Sequence, residues 1–132
     1  MVEFENVWGP TLDELRAWAS ETDPGLPEQD WELAISVSLN AREIIDLFSE
    51  DGTSDAARLV LLDALYVHVG DAVRCKRSDE LQVLNGVLSQ NAFPAPLQHW
   101  AERARILLAN PATYSYDYWG LPPTKFLDEG GL

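Results

Sequence analysis

The segment from Asp55 to Cys75, DAARLVLLDALYVHVGDAVRC, contains no proline and is apolar on nearly every side of a helical wheel. A helix of that kind must be surrounded by other elements, so the rest of the chain has to wrap around it. Its most apolar part, residues 59–73, is interrupted by Asp63, His68 and Asp71 and is too short to cross a bilayer. The expectation is a central helix, with the other elements packed against it.

Turn signals divide the remainder: WGPT at 8–11, DPGLP at 23–27, EDGTS at 50–54, CKRSD at 75–79, NAFPAP at 91–96, NP at 110–111 and WGLPP at 119–123. No internal repeat or low-complexity tract is present. The segments between the turns predict an all-α bundle of about five helices, roughly 11–21, 27–50, 55–75, 79–90 and 96–109, followed by an aromatic C-terminal tail. Residues 1–132 read as a single domain, with 120–132 as a flexible tail. Thr11 and Glu14 have capping-box spacing. Thr53 or Ser54 caps the central helix, Ser78 caps the next, and Asn110-Pro111 ends the last.

The second segment admits two readings. Trp31 to Leu39, WELAISVSL, alternates like a half-buried strand, and 2–8 and 113–119 alternate in places, so these three pieces could form a small sheet in an α+β fold. Steps of three or four from Glu28, however, collect Glu28, Glu32, Ser36, Leu39, Glu43, Asp46 and Glu50, a face that is polar except at Leu39. The opposite stripe is apolar or small, and Pro27 suits a first helical turn. One helix over 27–50 is the preferred reading.

At 132 residues, with 46% hydrophobic side chains, the chain can bury a core without metals or disulfides. A lone cysteine, Cys75, rules out an intrachain disulfide. MVEFENVWGP lacks the basic and apolar regions of a secretion signal, so a cytoplasmic location is expected. The net charge is −13, and residues 1–66 carry −12 of it, with fifteen acids against Arg16, Arg42 and Arg58. Such a field repels nucleic acid and anionic lipid, and it accelerates association with a basic protein.

Few residues point to chemistry. Asp63 lies among apolar neighbours and reads as a carboxylate on a narrow wet stripe, as half of a buried pair with Arg42 or Arg58, or as an acid/base group. His68, Asp71 and Cys75 share one helical face, yet a metal site there would need a ligand from elsewhere. Motifs of the G-x-S-x-G, P-loop, G-x-G-x-x-G, C-x-x-C and H-E-x-x-H types are missing, so no enzyme, metal or cofactor is expected. Arg74, Lys76 and Arg77 complement the dipole at a helix end.

Tyr114, Tyr116, Asp117, Tyr118 and Trp119 concentrate rigid aromatic area of the kind found at binding hot spots. Through its size, acidity, scarcity of cysteine and clustered tyrosines, the chain resembles, at the level of class alone, the immunity proteins that neutralise bacterial toxins. The resemblance implies a module that inhibits a basic partner, possessing Glu28, Glu32, Glu43, Asp46, Glu50 and the aromatic tract as its surface. Two other readings stand beside it: an adaptor that dimerises through Trp and Tyr, and a small helical enzyme or ligand binder with a pocket near the buried polar pair Asp63 and His68.

Overall fold

A computed structural model of the chain describes residues 3–90, 93–115 and 119. Its regular elements are α1 (Leu12–Ala19), α2 (Glu32–Ser38), α3 (Ala41–Ser49), α4 (Asp55–Arg74), α5 (Ser78–Leu88), α6 (Ala95–Ala109) and a 3-10 turn (Pro111–Thr113). Among the described residues there is no strand, so the chain is all-α and the small sheet is not supported. The proposed tail at 120–132 lies outside the described residues.

As the apolar pattern of 55–75 requires, α4 is the hub: α1, α2, α3, α5 and α6 all pack on it, α2 most extensively. Leu61, Leu62, Leu65 and Val69 of α4 are fully buried against Leu15, Ile35, Ile44, Leu84 and Leu97 within one continuous core. The first and third predicted starts are found: Thr11 Oγ1 accepts from the Glu14 amide, Glu14 accepts from the Thr11 amide, and Ser54 caps α4. Predicted Ser78 is instead the first residue of α5, behind Arg77.

The single helix predicted over 27–50 is corrected to two. Leu39 is extended (φ −121°, ψ 152°), and Asn40 opens α3 with a second capping box, accepting from the Glu43 amide at 2.9 Å while Glu43 accepts from the Asn40 amide at 3.0 Å. Asparagine competes for backbone amides best at a helix start, and that local gain outweighs continuation. Upstream, residues 27–30 are not helical and Asp30 takes a left-handed φ of 58°. The alternation in WELAISVSL is therefore carried by a two-turn helix that buries Ala34, Ile35 and Ser36 and exposes Val37. Asn40→Ala is expected to cost about 1 kcal/mol in urea denaturation, since it orphans the amide at the start of α3.

The end of α4 is a Schellman motif: the Arg77 amide donates to the Ala72 carbonyl and the Lys76 amide to the Val73 carbonyl. Lys76 occupies the left-handed position of that motif (φ 53°), where a Cβ is disfavoured. Lys76→Gly is therefore expected to stabilise the fold by roughly 0.5–1 kcal/mol, read as a rise in the melting midpoint.

Two indoles fasten the N-terminal segment. Trp31 Nε1 donates to the Val7 carbonyl (2.7 Å), and Trp18 Nε1 donates to the Gly25 carbonyl (2.8 Å). Trp31 also meets Phe4 and Trp18 edge-on, each with centroids 5.0 Å apart.

Candidate partner-binding surface

The acidic stripe read from 28–50 does not survive as one face, because the break at Leu39 and Asn40 puts its members on separate elements. Glu28 is exposed in the turn before α2, and Glu32 is half-buried at the start of α2. Asp46 is exposed on α3. Glu43 serves the α3 cap, and Glu50 holds Arg16 Nε at 2.8 Å. Ser36 and Leu39, counted on the polar stripe, are both buried.

The aromatic tract is corrected at one member. Trp119 is buried, not presented to a partner: its Nε1 donates to the Tyr66 carbonyl at 2.6 Å, its ring lies 5.3 Å from that of Tyr66, and the Arg103 guanidinium sits 5.1 Å from its ring centroid. Tyr114 is partly buried against the core. Tyr116, Asp117 and Tyr118 lie outside the described residues.

Asp63 is mostly buried on the outward side of α4. None of the arginines considered as partners reaches it among the described residues. Arg58 is committed to the Phe48 and Glu50 carbonyls and to Asp55, and Arg42 is exposed on α3. Burial pushes the Asp63 carboxyl up to about 6, and the nearby charges of Glu32 and Asp30 push it in the same direction. Asp30, in the turn before α2, and Glu32, at its start, thus bear electrostatically on Asp63 in the middle of α4. In the sequence Asp30 suits the dipole of a helix starting at Pro27 and nothing links it or Glu32 to Asp63.

His68 is buried on the other flank of α4. Its Nδ1 lies 2.8 Å from the Ser36 carbonyl, and because a carbonyl only accepts, Nδ1 carries the proton. Nε2 is buried with no hydrogen-bond partner among the described residues. Beside it is a cavity of about 20 Å³ lined by Ser36, Asp71, Arg77 and Glu80 among others, room for one water rather than a substrate. Asp63 does not line it, so the pocket imagined near both residues is not a shared one. A wider open groove of about 330 Å³ lies between α5 and α6, where Arg105 is already spent on the Leu88 and Gln90 carbonyls. Among the described residues no three His, Cys, Asp or Glu side chains come together as metal ligands, and no helix is long and apolar enough to cross a membrane.

What this arrangement offers is negative charge. Asp13, Glu50 and Asp55 are the acids of residues 1–66 that meet an arginine among the described residues, whereas Asp30, Glu32, Asp46 and Asp63 have no such partner there. α1 and α2 do not pair with α5 or α6 in the principal helix contacts, whereas α3 packs on α5.

No family model matches the chain, and no solved structure does. Over 76 residues it is 32% identical to the DNA polymerase II large subunit of Methanosphaera stadtmanae, a match covering 56% of this chain and 7% of that protein.

Proposed function

We propose that this chain is an acidic protein-binding module that inhibits a basic protein partner, in the manner of an immunity protein neutralising a bacterial toxin. The observation that carries this reading is the uncompensated negative charge on the first three helices and the adjoining part of α4. Surface charge of one sign speeds capture of an oppositely charged protein and discriminates against partners of like charge. The same charge opposes binding to a nucleic acid backbone, and the likeness to a short stretch of a polymerase subunit supplies no activity to carry over.

The test is retention of proteins from native lysate on the tagged chain at low salt, followed by a salt step and an assay of what is released. The expected result is a basic protein whose activity is suppressed by the chain, with affinity falling at least about tenfold as salt rises through the screening range. If nothing basic is retained and the chain runs as a dimer by light scattering, the adaptor reading replaces this one.

A further inference from the structure

The open groove between α5 and α6 is lined by Asn85, Leu88 and Ser89 from the end of α5 and by Arg105, Leu108 and Ala109 from the end of α6. Its α6 lip is apolar as well. Ile106 comes one turn before Ala109 and is 67% exposed, the most exposed of the large apolar side chains described. On the α5 side, Gly86 comes one turn before Ser89, and a Cβ built on it meets nothing within 4 Å. A glycine inside a helix costs about 1 kcal/mol relative to alanine. At Gly70 the close approach of Trp119 accounts for that cost, whereas at Gly86 no packing contact within the described fold does.

Charge sets this face apart from the acidic first half of the chain. α5 and α6 carry Asp79, Glu80 and Glu102 against Arg103 and Arg105, and the two α5 acids lie in its first turn, at the opposite end from the groove. Arg105 is held by the Leu88 and Gln90 carbonyls at 2.9 and 2.7 Å, and Glu102, one turn before Ile106, accepts from Gln98. A basic partner therefore finds no carboxylate lining the groove, and a second copy of the chain finds no concentration of like charge there, although each copy carries −13 in all. The face also holds a projection and a recess side by side. A twofold contact needs both, because each copy then gives Ile106 and receives it. We propose that the α5 and α6 face joins two copies of this chain about a twofold axis, Ile106 of each seated over Leu88, Leu108 and Ala109 of the other. The open edge at Gly86 lets the second copy come close. This goes beyond the binding of a basic protein and does not depend on it.

The test is sedimentation equilibrium of the full chain over a range of concentrations at low and at high salt. The expected result is a monomer to dimer equilibrium that tightens at least about threefold as salt rises, because screening relieves the repulsion between two chains of charge −13. Capture of a basic protein weakens with salt, so the sign of the salt effect separates the two associations. Ile106→Asp should weaken the dimer at least about tenfold, and Gly86→Gln, which fills the open edge, several-fold. Val37→Ser is the control: that side chain is 65% exposed on α2, and the change should alter the dimer by less than about twofold. All three positions are exposed, and unchanged circular dichroism verifies that each variant is folded. A chain that stays monomeric at every concentration in high salt overturns the proposal. So does a dimer that loosens with salt, that survives Ile106→Asp, or that Val37→Ser abolishes.

Discussion

Trp31→Ala is expected to remove about 3–5 kcal/mol of stability, a large share of what a domain of this size possesses. The indole is fully buried, and three things are lost with it: its volume in the core, two edge-on aromatic contacts at 5.0 Å, and the 2.7 Å hydrogen bond that holds the Val7 carbonyl. The loss should be unevenly spread. Phe4 and Val7 depend on Trp31 for their place against the core, so amide exchange in residues 4–9 should quicken more than in α5. Trp31→Phe keeps most of the volume but not the donor, and should cost roughly 1–2 kcal/mol. Urea denaturation measures both, and a loss below about 1 kcal/mol for the alanine variant would contradict the packing described.

Trp119→Ala is expected to cost about 3 kcal/mol, by uncovering Tyr66 and removing the 2.6 Å bond to its carbonyl. Gly70 supplies a control on that assignment. Replacing a glycine inside a helix by alanine ordinarily stabilises it by about 1 kcal/mol. Here a Cβ would come within 2.8 Å of Trp119 Cδ1, so Gly70→Ala is expected to destabilise the parent chain. In the Trp119→Ala background the same change should recover its ordinary stabilising sign. A double-mutant cycle reads that reversal directly, and additivity of the two changes would show that Trp119 does not rest on Gly70.

Much of the helical layout was legible because it is written locally. The capping box at Thr11 and Glu14, the Ser54 cap and the proline after Asn110 each act within one turn, and the all-round apolar pattern of α4 dictates a central place. The break at Leu39 had a local signal too, asparagine followed three residues on by glutamate, and Leu39 was the one apolar position on an otherwise polar stripe. Both were outweighed by the length of the amphipathic pattern. Burial of Trp119 has its trace in Gly70, an isolated glycine inside a helix that marks a close approach, but the sequence does not say what approaches. The influence of Asp30 and Glu32 on Asp63 is tertiary: it depends on where the start of α2 lies along α4, and no spacing in the chain encodes that. The exposed row of Leu33 and Val37 became visible only once α2 had been oriented by its buried side.

Asp63 is a mostly buried carboxylate without an ion-pair partner among the described residues, and α4 keeps it at a cost to the free protein. Folding raises the Asp63 pKa from its ordinary value to about 6, so between those two values the folded state holds more protons than the unfolded state. The stability this group contributes is therefore fully present at acid pH below its ordinary value and is lost as pH rises through about 6. After allowing for solvent screening of a group that is not fully buried, the loss is about 1–2 kcal/mol. The measurement is urea denaturation of the parent and of Asp63→Asn at about pH 3 and about pH 7.5, one below the ordinary carboxyl value and one above the raised one. The two chains are expected nearly to coincide in acid, and Asp63→Asn to be the more stable at the higher pH by about 1–2 kcal/mol. Equal stability at both values, or a less stable Asp63→Asn at the higher pH, would show that Asp63 is already satisfied within the fold and does not wait for a cation.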